Sequence, residues 1–333
     1  MPVGPPRVHS LTVKQLLIIT GAAGFIGRNV VAELNRRGHD HLLLVDHLGT
    51  DDKWKNLVGL KYEDLINPDT LLEQIQRDTF RADAVIHLGA CSSTTERDAD
   101  YLLKNNYRYT RTLCEWSRKC DSRFVYASSG ATYGDGSLGY SDSDAVTPTL
   151  KPLNMYGYSK HMFDLWALSS GLLNQIVGLK YFNVYGPYES HKADMRSVVH
   201  KAYEQIMATG GVKLFKSYDR KYKDGEQKRD FIYVRDAVDV TLHFAMEKRS
   251  IGGLFNCGTG EARSWNDLAR AVFSAMGRKP KIEYIEMPQS LQAKYQYFTQ
   301  ADITKLRGPG GWSRPFTSLE AGVADYVKDL NSN

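Results

Sequence analysis

Short apolar runs recur through the first half of the chain, and each ends in a turn rich in glycine or small hydroxyl residues. Residues 16–20, 41–45, 84–88 and 124–127 are such runs, with a weaker one ending near Asp64 and Leu65. Runs of this length bounded by turn residues read as buried strands. Between them lie stretches with helical spacing, from the turn at 21–27 through Arg37, over 71–77 and over 100–119. Strand–helix alternation continues through Tyr181. It predicts an α/β fold, a doubly wound parallel (Rossmann) sheet with right-handed crossovers.

Beyond Tyr181 the alternation breaks. Asn183-Val184-Tyr185-Gly186-Pro187 interrupts it, a helix follows through Ala208, and the charged, glycine-containing segment 216–229 is expected to be an exposed loop. Residues 255–260 and a helix over 264–276 rejoin the sheet layer, and 282–330 adds a short strand and a terminal helix. The expected organisation is a loose leader (1–14), a Rossmann domain (15–182) and a smaller C-terminal α/β substrate-binding lobe (183–333). Segments around 229–260 return to the first domain.

Composition narrows the classes. At 333 residues the chain exceeds one compact unit of ~100–200 residues, so an appended lobe is consistent with its length. Hydrophobic residues at 42% and charged residues at 24% are ordinary globular usage and argue against disorder. The net charge of +5 is modest and spread among acids, so no nucleic-acid partner is expected. Cys91, Cys114, Cys120 and Cys257 form no C-x-x-C and have no histidine at zinc-ligand spacing; they read as reduced thiols, with no metal site. Residues 1–14 carry prolines rather than an apolar h-region, and nowhere do 18 apolar residues run together. A cytoplasmic protein without a membrane partner is the expectation.

The first apolar run leads directly into Gly21-Ala22-Ala23-Gly24-Phe25-Ile26-Gly27 and a helix. Gly21 suits a tight turn, Gly24 lets backbone N–H groups approach a pyrophosphate, and Gly27 permits close helix packing. Asp46, about 20 residues on, ends the second strand where an acid hydrogen-bonds ribose hydroxyls and favours NAD. Lys53 and Lys55 follow closely and favour NADP by neutralising a 2′-phosphate. Local chemistry leaves that choice open.

Later strands end in small polar loops. Gly89-Ala90-Cys91-Ser92 follows the fourth strand and is expected to flank a cofactor, with Cys91 as a lining residue rather than a nucleophile. Asn105, on the next helix, is expected to face the sheet. Ser129 ends the fifth strand and suits a fixed donor to a reacting oxygen. Tyr156 and Lys160 stand four apart, on one face of a helix. A tyrosine at its ordinary pKa of about 10 is a poor base near neutrality, and a neighbouring ammonium favours the phenolate. The alternative for each residue is a turn serine, or packing and solvation on an exposed helix.

Taken together, the glycine turn, Ser129, Tyr156 and Lys160 resemble the extended short-chain dehydrogenases/reductases that act on nucleotide sugars. H-L-G-A-C-S-S-T-T-E (87–96), K-P-L-N-M-Y-G-Y-S-K (151–160), Y-F-N-V-Y-G-P (181–187), K-R-D-F-I-Y-V-R-D (228–236), F-N-C-G-T-G (255–260) and Y-Q-Y-F-T-Q-A-D (295–302) are similar to the family of ADP-L-glycero-D-manno-heptose 6-epimerases. That resemblance spans 16 to about 329. It implies NADP, with NAD as the alternative, a cytoplasmic homo-oligomer, an ADP-heptose substrate and a role in making the heptose of the lipopolysaccharide core.

Residue by residue, the resemblance sets Phe25 and Ile26 at the pyrophosphate and Asp46, His47 and Lys53 at the adenosine. Gly89 to Ser92, Asn105, Lys160 and Val184 lie along the cofactor. Substrate positions are Ser129, Asn183, Asp194, His200, Phe215, Arg229 and Tyr295. Lys192 is a second catalytic position beside Tyr156. An isolated carbinol has no carbonyl to acidify its C–H, so its epimerisation needs transient oxidation to a ketone, and a ketone reached from two faces calls for two acid/base groups. Three features depart from the family pattern: Asp194 for a small serine, His47 for asparagine, and a long 216–226 loop. They keep open another nucleotide-sugar 4-epimerase or dehydratase, and more remotely a non-catalytic dinucleotide-binding protein.

Overall fold

The apolar runs can bury both faces only inside a sheet covered by helices on either side. In the computed structural model, which describes residues 15–292 and 295–332, they do so; the leader assigned to 1–14 lies outside the described residues. β1 (Leu17–Thr20), β2 (Leu42–Val45), β3 (Asp64–Ile66), β4 (Ala84–His87), β5 (Arg123–Ser129) and β6 (Val177–Tyr181) belong to one seven-stranded sheet. β7 (Asn183–Tyr185), β8 (Val212–Phe215) and β9 (Lys228–Tyr233) leave it, and β10 (Gly253–Cys257) returns to pair with β6. β11 (Ala262–Ser264) and β12 (Ile282–Ile285) complete two small sheets, ordered β11-β9-β7 and β12-β8.

The large sheet runs β10-β6-β5-β4-β1-β2-β3 with every pairing parallel. Strand order reverses between β1 and β4, and there the crossovers diverge and open a crevice at the strands' carboxyl ends. Thr20 stands beside His87 in register, which brings the turn after β1 against the loop after β4. Alternation within β1 divides the core: Leu17 and Ile19 pack with Val30, Val31 and Leu34 of the helix Phe25–Arg36, whereas Ile18 packs with Leu113 and Phe163 on the other face. No helix of the described residues is long and apolar enough to cross a membrane.

Two local expectations change. The helix over 100–119 is interrupted: Ala99–Leu102 passes through a π-helical turn, Leu103–Arg108, before Tyr109–Lys119. A π turn holds extra backbone and rotates the following face, so Asn106, not Asn105, is fully buried. The charged segment 216–229 does not stay a loop to its end. Lys228 and Arg229 enter β9, and Gln227 and Arg229 are buried because β11 and aromatic side chains cover them.

Candidate active site

The turn after β1 wraps around the absence of one side chain. A Cβ on Gly27 would lie 2.0 Å from the Gly21 carbonyl oxygen, so only glycine lets the helix Phe25–Arg36 start this close to the strand. Its free N-terminal N–H groups border a cavity of about 700 Å³ lined by Gly21, Gly24, Phe25, Ile26 and Gly27, a cradle suited to a dinucleotide pyrophosphate. Asp46 and Lys53 line the same cavity. Asp46 accepts from the Ala23 N–H at 2.8 Å through one oxygen and from Lys53 Nζ at 2.6 Å through the other. His47 is exposed and outside the lining; its ring meets Asn67 at 3.1 Å and its carbonyl accepts from Lys53.

Gly89, Ala90, Cys91 and Ser92 form the opposite lip. Thr20 Oγ1 accepts the Gly89 N–H at 3.0 Å and meets His87 Nδ1 at 2.6 Å; His87 Nε2 meets Thr110 at 2.8 Å. Burial, then the Lys160 charge, pushes His87 down to about 3, so it is a neutral strut. Asn106 holds Cys91 at both backbone N–H and carbonyl, each at 2.9 Å, and donates to Ser159 at 3.0 Å. The loop is thereby tied to the helix that carries Tyr156. Neither motif nor charge marks Asn106 in the sequence; only its neighbour Asn105, which does not line the cavity, was singled out.

That helix, Met155–Ser169, is capped by Asn154, which accepts the Gly157 N–H at 2.8 Å. A Cβ on Gly157 would lie 2.8 Å from the Ala131 carbonyl, so glycine lets the helix close onto the turn after Ser129. Ser129, Tyr156 and Lys160 all line the cavity, with the Ser129 hydroxyl near the Tyr156 phenol. Burial raises the Tyr156 phenol, with the Ser129 hydroxyl opposing, so its net direction is up rather than the lowering expected from an ammonium neighbour. Burial instead lowers Lys160 itself to about 8, with Asp164 opposing. One turn on, Asp164 accepts from Tyr126, Ser128 and Lys180 at 2.8, 2.7 and 2.8 Å. Both partners of the Asp164–Lys180 pair are fully buried. No sequence motif pointed to this network, which clamps the helix to β5 and β6.

The remaining wall comes from beyond β6. Asn183, Val184 and Lys192 line it, as do His191, Arg196 and Trp265, which sequence reasoning passed over. The Lys192 ammonium lies 4.9 Å above the Phe25 ring and 3.6 Å from Glu189. Besides His47 and Asn105, five candidates stand outside the lining. Asp194 is exposed, since the chain turns at Ala193 (φ 46°) and Lys201 takes the Asp194 carbonyl at 2.6 Å. His200 is buried and satisfied, with Tyr326 at 2.8 Å and Glu204 at 3.3 Å. Phe215 ends β8, where its carbonyl meets the Gln227 amide. Arg229 sits behind Trp265, its guanidinium 5.6 Å from that ring and 5.1 Å from Tyr295. Tyr295 accepts from the Trp265 indole at 2.8 Å. The four cysteines are free, and no cluster of potential metal ligands occurs among the described residues.

Residues 17–258 match the NAD dependent epimerase/dehydratase family. An ADP-L-glycero-D-manno-heptose-6-epimerase of Nitratidesulfovibrio vulgaris (strain DP4) is 54% identical over 315 residues, covering 94% of this chain and 97% of that one. One from Fusobacterium nucleatum is 46% identical over 325 residues, with 94% and 97% covered. The crystal structure of the Helicobacter pylori ADP-L-glycero-D-manno-heptose-6-epimerase superposes with a TM-score of 0.80 at 29% identity, over 96% and 97% of the two chains. A UDP-glucuronic acid 4-epimerase from Bacillus cereus, solved with UDP-glucuronic acid and NAD, gives 0.75 at 26% identity over 95% and 100%. With its glycine cradle, its Ser129–Tyr156–Lys160 cluster and these relatives, the chain belongs to the NAD dependent epimerase/dehydratase family, in the branch of the ADP-L-glycero-D-manno-heptose-6-epimerases.

Proposed function

We propose that the protein interconverts the C6″ epimers of an ADP-glycero-manno-heptose through a transient ketone, for lipopolysaccharide core synthesis. The observation that carries this reading is that Tyr156 and Lys192, from separate elements, line one cavity with the glycine cradle. A nicotinamide dinucleotide held by the glycine turn, Asp46 and Lys53 would supply the hydride acceptor and donor there. Tyr156, beside Ser129, exchanges the hydroxyl proton in one orientation of the sugar, and Lys192 exchanges it in the other. Arg229 is buried with no acidic partner among the described residues, which suits it to diphosphate oxygens once Trp265 yields. Lys53 beside Asp46 favours NADP, since its charge offsets the carboxylate that would otherwise repel a 2′-phosphate.

Incubation with the D-glycero-D-manno epimer and chromatographic resolution of the C6″ epimers tests the reaction; no interconversion refutes it, and turnover of a UDP-hexose instead favours a 4-epimerase. Tyr156→Phe and Lys192→Met are each expected to lower turnover in both directions. A Lys192→Met protein with wild-type rates both ways removes Lys192 from the chemistry. Mass spectrometry of the co-purifying nucleotide decides the cofactor: NAD would mean that Asp46 outweighs Lys53.

A further inference from the structure

The segment that presents Lys192 is held from beneath by one carboxylate. Glu189 is fully buried. It accepts the Ser197 backbone N–H at 2.7 Å, the Ser197 hydroxyl, and the Tyr326 hydroxyl at 3.1 Å, and its backbone carbonyl accepts the Lys192 N–H at 3.0 Å. A buried carboxylate survives only when donors and a cation surround it, and here the cation is Lys192 at 3.6 Å. The segment is also bent at both ends. Tyr188 (φ 72°) and Ala193 (φ 46°) take left-handed backbone, which non-glycine residues hold only where the surroundings over-determine it. Arg28 stacks on Tyr188 at 3.4 Å, Asn29 donates to the Pro187 carbonyl at 3.1 Å and Asn56 meets His191 at 3.0 Å, so the glycine-turn helix and its neighbour fix the outer side.

We infer that Glu189 is a positioning residue for the reaction: it holds the Lys192 amine against Phe25 at the cavity wall and keeps it protonated there. This rests on the reading of Lys192 as an acid/base group. Burial lowers the Lys192 pKa overall, and Glu189 is the largest influence that opposes the fall. Lys201 opposes protonation, and His191, itself near Lys53, Asp51 and Asp46, is the other titrating neighbour. His200, which Glu204 and Arg196 also face, is a further titratable neighbour of Glu189. Sequence gave no sign of this role, because Glu189 and Ser197 are eight residues apart and Tyr326 lies in the last helix.

The test is competitive acetylation of Lys192 with trace acetic anhydride across pH 6–11 in the cofactor-loaded protein, read by mass spectrometry, beside the pH–rate profile of epimer interconversion. Lys213, exposed and remote in sequence, serves as the internal standard. In Glu189→Gln the Lys192 titration is expected to move to lower pH by about one unit or more, and the limb of the rate profile that follows Lys192 moves with it. Glu189→Asp, which keeps the charge but draws it back, is expected to move both less in the same direction, and it carries the test if Glu189→Gln does not fold. A folded variant in which Lys192 titrates as in wild type overturns the inference. A displaced Lys192 titration with an unmoved rate profile upholds the hold of Glu189 on Lys192 and instead removes Lys192 from the chemistry.

Discussion

Lys160→Met separates what the active site needs from what the fold prefers. Lys160 is 4% exposed, and no described residue hydrogen-bonds its Nζ; burial lowers its pKa from 10.5 to about 8. A fall of that size corresponds to a cost of about 3 kcal/mol for holding the protonated amine in the folded chain. Methionine has similar length and no charge to desolvate. The sign follows from the two pKa values. Below about pH 8 the lysine is protonated in both states and the whole cost is present. Between about 8 and 10.5 the folded protein has released the proton and the unfolded chain has not, so wild-type stability rises with pH. Urea unfolding of the nucleotide-stripped proteins, followed by circular dichroism at pH 7, 8.5 and 10, is expected to show the variant more stable by about 1–3 kcal/mol at pH 7. The gap closes towards pH 10, while epimer interconversion is lost at every pH. A variant less stable than wild type at pH 7, or a gap that does not change with pH, refutes burial of the ammonium as the source of the depressed pKa.

Gly157→Ala sets a methyl 2.8 Å from the Ala131 carbonyl and is expected to cost about 1–3 kcal/mol in urea and to lower kcat about tenfold or more, because the helix retreats and takes Tyr156 away from Ser129. Asp164→Asn strands the fully buried Lys180 ammonium; a loss of about 3–5 kcal/mol is expected, largely recovered in the double variant Asp164→Asn/Lys180→Met, and urea midpoints compare them. His87, at about 3 against an ordinary 6.5, is expected to keep unchanged ring proton shifts between pH 5 and 8 by NMR. Its unfolded form gains a proton as pH falls below about 6.5 and the folded form does not, so its contribution to stability declines from there towards pH 3.

The sequence by itself determined the parts of this protein whose physics is local. Short apolar runs bounded by turn residues read as buried strands, and a strand that runs into Gly21, Gly24 and Gly27 before a helix suits a tight turn with free N–H groups. Tyr156 and Lys160 share a helical face by spacing alone, Ser129 stood out at the end of its strand, and the family resemblance marked Asn183, Val184 and Lys192, all of which line the cavity. Tertiary structure decided what depends on residues distant in the chain. A π turn buried Asn106 beside a half-buried Asn105, a left-handed Ala193 left Asp194 outside the cavity, and Tyr326 satisfied His200. Burial, which no spacing reports, set the proton affinities of Tyr156 and Lys160 in the direction opposite to a simple charge pairing for the phenol. The buried acids Asp164 and Glu189 show the same limit: a carboxylate becomes a keystone only when partners such as Lys180, Ser197 and Tyr326 arrive from other elements to replace the water it has lost.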